Sequence, residues 1–185
     1  MLVQTVAPVI EPLSLADAKE FLRVLNPDDD SLITSLIVAS REFAENITNR
    51  QLKTATFELY CTGFMDGLKL PKNPVSSIVS IEYLDENEVY QTIDSSTYYL
   101  YEANGVATIL FKTLPSVTVA DHKKSVKITF IGGYTNVPES IVQWMKIKVA
   151  TLYENREELV VGVSVAEMPK SLIDNMLNQY RVKEF

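Results

Sequence analysis

Apolar residues recur three and four apart along "PLSLADAKEFLRVL", where Leu15, Ala18, Phe21 and Leu22 share one face, so this stretch predicts a first helix. Ser14 precedes it as an N-cap, and Asp17 stands three residues on in the capping-box position. "NPDDDS" interrupts the pattern, and its aspartates put negative charge at the start of a second helix, where the helix dipole favours it. That helix is predicted over roughly Ser31 to Thr48. Its stripe is Leu32, Leu36, Ala39, Phe43 and Ile47, widened by Ile33, Ile37 and Ala44, and so broad a face calls for partners on two sides.

From Thr54 the period shortens to two. "TATFELYC" alternates, with Phe57 and Leu59 on one face and Glu58 and Tyr60 on the other. "SSIVSIEYLD", "VYQTID", "TYYLY", "VATILF" and "SVKITFI" follow at short intervals, and "DENE" and "EANG" supply hairpin turns. No helical stretch separates these strands, so they predict an antiparallel meander and not a βαβ repeat. Helical spacing returns after Pro138, a residue suited to the first helical position. Ile141, Met145, Val149, Leu152 and Tyr153 share that helix's face, with Trp144 at its edge. A last helix, "KSLIDNMLNQYR", follows Pro169 and buries Leu172, Ile173, Met176, Leu177 and Tyr180. The expected fold is therefore α+β: a small bundle of about four helices with an antiparallel β-meander inserted between the second and third. The helical layer comes from residues 12–50 and 137–182, and the β-rich insertion from 54–133.

Composition narrows the function more than the fold. At 185 residues and 46% hydrophobic content, the chain suits one soluble domain with a real core. Its longest apolar runs are too short to cross a bilayer, so no membrane is expected as a partner. The stretch "MLVQTVAPVIEPLS" lacks the basic start of a signal peptide. One cysteine, Cys61, permits no intrachain disulfide, and with one histidine, His122, no thiolate–imidazole zinc site can be assembled. The net charge is −7, and no segment carries the basic stripe needed to grip nucleic-acid phosphates.

The motifs that could carry chemistry each fail a specific requirement. Gly132 and Gly133 leave a strand ahead of a helix, the place where many proteins hold a phosphate. Yet "GGYTNVPES" has no lysine, and Pro138 removes one of the N–H groups that would face an anion. The glycines read instead as a hinge: backbone angles closed to other residues, used to end the strand. Asp28, Asp29 and Asp30 lack the alternating oxygen ligands, central glycine and terminal glutamate of a calcium loop. His122 falls in a polar turn, and no G-x-S-x-G elbow is present. No catalytic, cofactor-binding or metal-binding residues are expected, and no cofactor.

Five stretches, taken in order, carry a likeness: "LSLADAKEFLRV", "DDDSLITSLIVASREFAENITNRQL", "LKLPKNPVSSIVSIEYLDENE", "ITFIGGYTNVPESIVQWMKIKVATLYENREE" and "MPKSLIDNMLNQYR". Together they resemble the head–tail connector (adaptor) proteins of long-tailed bacteriophages and prophages, in the subgroup with a β insertion between the helices. The most specific pieces are "NITNRQL", "PVSSIVSIEY" and "GGYTNVPESI…LYENRE". The resemblance implies a single connector domain over residues 1–185 and a structural role in the virion neck, from subunits made in the bacterial host cytoplasm. Such proteins form rings of about a dozen subunits beneath the portal, through heterologous contacts between unlike faces. They extend the DNA channel and give the tail or head-completion proteins a platform. The DNA is expected to pass without tight binding. The alternatives are a neck or tail-completion protein, or a small-ligand or enzymatic domain sited between helices and meander.

One stretch departs from the family. "ELVVGVSVAEMP" is more apolar than the Gly- and polar-rich connection that the family leads one to expect. Leu159, Val160, Val161, Val163, Val165 and Met168 are too apolar for a solvated loop, while Gly162 and Ser164 interrupt a helix. The segment therefore either packs on its own subunit as a short strand or hairpin, or orders against a neighbouring subunit or the portal. With Tyr180 and Arg181 in the "NQYRVKEF" end, these residues form the candidate assembly interface.

Overall fold

The computed structural model describes residues 1–155 and 175–182. The chain divides into two compact units, one from Met1–Val9 and Lys53–Thr135, the other from Ile10–Leu52 and Asn136 onward.

The first unit is built from strands. β1 (Leu2–Val6), β2 (Ala55–Cys61), β4 (Val75–Leu84), β5 (Tyr90–Thr92) and β8 (Val126–Gly132) make one sheet in the order β1-β2-β8-β4-β5. A second sheet orders β3 (Leu68–Lys69), β7 (Val106–Phe111) and β6 (Tyr98–Ala103) as β3-β7-β6. Every pairing is antiparallel, as expected, but the order is not strictly sequential. β8, last in the chain, lies between β2 and β4 and pairs with both. Its residues alternate between buried and half-buried, the signature of a central strand with one face fully in the core.

Both sheets contribute to one core. Phe57, Ile81, Val126, Ile128 and Phe130 enter it from the larger sheet, and Tyr98, Ala107 and Ile109 from the smaller. Phe57 and Phe130 face each other in register across β2 and β8, and their rings stack with centroids 5.6 Å apart. Asn73 is buried among these apolar groups because both ends of its amide are used. Its Nδ2 donates to Leu70 O and its Oδ1 accepts from Ala107 N. The "EANG" turn is a two-residue hairpin loop, with Asn104 at φ 53° and Gly105 at 72°, the pair of positive angles that matches strand twist. In "DENE", Asp85 accepts from Val89 N, then from Gln91 Nε2 and Asn87 N, and these bonds hold its carboxyl below the ordinary aspartate range.

The second unit is helical. α1 (Leu15–Leu22), α2 (Asp30–Thr48) and α3 (Glu139–Glu154) pack against one another, and residues 175–178 add a helical turn that buries Leu177. The cap at Ser14 forms as expected: its Oγ accepts from Asp17 N at 3.1 Å and donates to the Asp17 carboxylate at 2.6 Å. The three aspartates that begin α2 are each engaged. Asp28 accepts from Asn26, Asp29 from the Tyr153 hydroxyl, and Asp30 from Lys19. They therefore tie the start of α2 to the end of α3 and to α1.

The structure corrects the expected core at α2 and Trp144, and the expected elements at Pro138, β1 and β3. The buried face of α2 is Ile33, Ile37, Ser40, Ala44 and Thr48, one residue round from the predicted stripe, and Phe43 stays 49% exposed under the Lys148 ammonium. Ser40 and Thr48 are tolerated inside because their hydroxyls donate to the carbonyls of Ile37 and Ala44. Trp144 is fully in the core and not at its edge. Pro138 caps α3 from outside, its carbonyl accepting from Ile141 and Val142. β1 and β3 were not anticipated at all.

The two glycines do end β8, for two different reasons. Gly133 has φ 115°, and a Cβ there would overlap the Lys53 carbonyl. Gly132 does not take a positive φ; what requires glycine there is the Lys72 carbonyl, which a Cβ would strike. Gly133→Ala therefore adds both strain and overlap, and a loss of about 1–3 kcal/mol is expected in denaturant unfolding. Unchanged stability would mean that the backbone at this point relaxes freely.

Candidate functional site

The stretch "NITNRQL" shows what its residues are for once the end of α2 is followed atom by atom. Thr48 O, one of the carbonyls a helix leaves unpaired at its end, accepts from Val182 N at 2.9 Å. Asn49 takes the left-handed cap angle, φ 54°, and its Nδ2 donates to Val182 O at 3.2 Å. Arg50 Nε donates to Tyr180 O. Gln51 Nε2 and the Leu52 amide both donate to Glu45 Oε1, at 2.9 and 3.0 Å. Glu45 Oε2 in turn pairs with Arg41 at 2.9 Å, and Arg41 reaches Glu11 at 2.8 Å. Leu52 is then completely buried. The segment is a receptor for residues 180–182, a pairing more than a hundred positions apart in sequence.

Of the expected interface residues, Leu159, Val160, Val161, Val163, Val165 and Met168 lie outside the described residues. Tyr180 and Arg181 are placed, and they point to different uses. Tyr180 is half-buried; its hydroxyl shares a hydrogen bond of 2.7 Å with Ser140 Oγ in the first turn of α3, while its carbonyl meets Arg50. Arg181 is exposed. Tyr180 is thus committed to its own chain, and Arg181 presents its side chain to solvent. The clamp around Tyr180 could not be foreseen from local spacing, because Ser140 and Arg50 come from two other parts of the sequence.

Gly133 and His122 have structural partners. Gly133 N donates to Pro74 O at 2.7 Å, so that amide is not turned to an anion. His122 Nδ1 accepts from Lys124 N at 3.1 Å within its turn. Among the described residues, no group of three or more His, Cys, Asp or Glu could hold a metal ion, and no helix is long and apolar enough to cross a membrane.

On the face of the larger sheet turned from its core, one ion pair and two cation–ring contacts engage the lysines. Lys127 bridges to Glu82 at 2.7 Å and lies 4.7 Å from the Tyr90 ring centroid. Lys124 sits 4.9 Å over the ring of Tyr60. Tyr60 donates to Glu58 at 2.6 Å, and this bond, followed by burial, pushes its phenol up to about 12. The cations here are engaged by neighbours on the same sheet.

Two substitutions separate the roles at the chain's end. Tyr180→Phe removes the bond to Ser140 and should lower stability by roughly 0.5–1.5 kcal/mol in thermal unfolding, leaving self-association unchanged. Arg181→Ala should leave stability within about 0.5 kcal/mol of the parent. A Tyr180→Phe protein of unaltered stability that fails to self-associate would place the hydroxyl in an intersubunit contact instead.

A family model of "Phage gp6-like head-tail connector protein" matches residues 12–105. No curated protein matches the sequence. Among solved structures, the fold is shared with a chain of the neck of an empty GTA particle of C6 symmetry: TM-score 0.81 at 21% identity, over 100% of this chain and 97% of that one. A chain of the native gene transfer agent virion gives 0.82 at 20% identity, again over 100% and 97%. A chain from the neck of a native GTA particle of C12 symmetry gives 0.68 at 20%, with the same coverage. Identities this low speak for a common fold along the whole length. The family match covers just over half of the sequence, including α1, α2 and the "NITNRQL" receptor, and by it the chain belongs to the phage gp6-like head–tail connector family.

Proposed function

We propose that this chain is a structural subunit of the connector ring in the virion neck, seated below the portal, where it extends the DNA channel and offers a platform to the tail or head-completion proteins. The family match over residues 12–105 carries this reading. Ring closure is supported by the shared fold with neck chains from particles of C6 and C12 symmetry. A ring pairs unlike faces of neighbouring subunits, and the proposed contact surface comprises Leu159, Val160, Val161, Val163, Val165 and Met168 with the C-terminal stretch that contains Tyr180 and Arg181. Arg181 serves it directly, whereas the Tyr180 side chain stays within its own subunit, bonded to Ser140.

Native mass spectrometry across a concentration series, with and without portal, tests the proposal. A ring oligomer is expected at high concentration or on the portal, with Val161→Asp and Val163→Asp abolishing it while circular dichroism stays unchanged. A strict monomer under all conditions, or a closed twofold dimer, would overturn the reading.

The channel role also constrains DNA affinity. Lysines and arginines number 17 against 24 acidic residues, and Lys124 and Lys127 are held by Tyr60, Tyr90 and Glu82. Gel-shift titration with duplex DNA in low salt should show little retention, since tight binding rests on free phosphate-contacting cations. A tight complex that dissociates steeply with added salt would contradict a channel through which DNA slides.

A further inference from the structure

The two sheets of the β unit end in outer strands: β1 and β5 in the larger, β3 and β6 in the smaller. An outer strand carries a row of backbone N–H and C=O groups with no neighbouring strand, and proteins shorten, bulge or charge such edges to keep other chains off. β3 and β5 are blunted by length, at two and three residues. β6 has none of these devices. Its six residues, "YYLYEA", include no proline and no lysine, and their register against β7 is unbroken. The alternation of an antiparallel ladder tells which of its groups are open. The two-residue turn makes Ala103 and Val106 a hydrogen-bonded pair, and Lys112 N meets Thr97 O at 2.9 Å at the other end. Tyr99 and Tyr101 therefore bond to β7, while Leu100 and Glu102 direct their backbone groups the other way. Among the described residues, nothing meets those groups. Leu100 is half-buried at the rim of the core, and Tyr99 and Tyr101 stand 48% and 51% exposed on the opposite face.

The complementary edge is β1. Met1 and Tyr60 exchange both backbone bonds at 2.8 Å, so Val3 pairs with Glu58, and Leu2 and Gln4 turn their groups away from β2. This regular stretch ends at the register shift after Gln4, and among the described residues nothing bonds its outer side. The parity of the two edges agrees. Leu2 and Leu100 both pack on the core, with Gln4 opposite Phe57 and Glu102 opposite Ala107. On each strand the residues with open backbone groups are thus those on the core-facing side, so one pairing continues both the ladder and the core. Charge does not oppose it, since residues 1–10 carry no charged side chain and β6 carries Glu102 alone.

We propose that β6 of one copy pairs antiparallel with β1 of the next, Leu100 opposite Gln4 and Glu102 opposite Leu2, so that the smaller sheet of each subunit runs on into the larger sheet of its neighbour. A second copy is the occupant because each chain carries one edge of each kind, and joining unlike edges repeats from copy to copy. β6 against β6 would stop at a twofold pair and leave β1 open. The pairing rests on the proposed connector ring and adds to it a contact made by the β unit.

The test uses the full chain, dilute and assembled. Amide exchange on the assembly, read by NMR after dissociation, should be slowed at Leu2, Gln4, Leu100 and Glu102 relative to the monomer. Tyr99 and Tyr101, already bonded to β7, should not change. Glu102→Pro deletes an outward donor and leaves the ladder to β7 whole, so the concentration needed for assembly should rise about tenfold. Tyr101→Lys, which charges the exposed side of the edge, should act in the same direction and serves where the proline disturbs the hairpin. Tyr101 and Val3 come directly opposite each other in this register. Mixing Tyr101→Cys and Val3→Cys chains, both in a Cys61→Ser background, should therefore give chiefly the mixed disulfide on mild oxidation. Rings that form with the four amides unslowed and with both edge variants assembling like the parent would overturn the pairing and leave the ring standing. Tyr101→Cys linking chiefly to itself would also overturn it, in favour of a β6–β6 dimer. A chain that stays monomeric at every concentration and on the portal would remove the ring and the pairing together.

Discussion

The β unit depends on one long-range constraint: β8 must lie between β2 and β4. Neither of those strands pairs with the other, so without residues 126–132 the larger sheet is two separate ribbons. The stacking of Phe57 on Phe130 is the point where this constraint becomes packing energy, because it joins strands far apart in sequence at the centre of the core. The glycines at the end of β8 belong to the same constraint. They let the strand's last residues pass against the backbones of Lys72 and Lys53, which a side chain would hold off.

The helical unit is organised differently, around the two ends of α2. At its start, three successive carboxylates hold Asn26, Tyr153 and Lys19; at its end, Thr48, Asn49 and Arg50 hold residues 180–182. Between them, Arg41 and Glu45 join the helix to Glu11 and to the turn at Gln51 and Leu52. Such a network is demanding, because a buried ion or amide left without its partner is costly. Here each of these charged groups has a hydrogen-bond or ion-pair partner. The specificity of "NITNRQL" thus has a structural explanation, since Thr48, Asn49, Arg50, Gln51 and Leu52 each make a defined bond.

What sequence could show was decided by how local the cause is. The Ser14 cap and the Asn104–Gly105 hairpin depend on a few neighbouring residues, and both form as their spacing predicts. The face of α2 was less legible because two adjacent stripes are both largely apolar, and Ser40 and Thr48 conceal their polarity by bonding back to their own helix. β1 and β3 are short and take their structure from β2 and β7, so their own patterns say little. The strand order and the buried Asn73 rest on partners dozens of residues away. The family likeness, by contrast, was legible from ordered motifs across the chain. Of its proposed contact surface, Tyr180 turned out to answer to Ser140 and Arg50, an arrangement no spacing rule contains.

The late position of β8 has a consequence for synthesis. A ribosome delivers β2 and β4 long before the strand that separates them, and each emerges with a backbone edge that has no lasting partner. An edge of that kind is a template for any extended chain nearby. β1 covers one side of β2 and β5 one end of β4, and the remaining edges stay open until residue 132 is free of the tunnel. The interval between these events is when wrong pairings are most accessible. Slowing translation between β4 and β8 would lengthen that exposure without altering the finished fold.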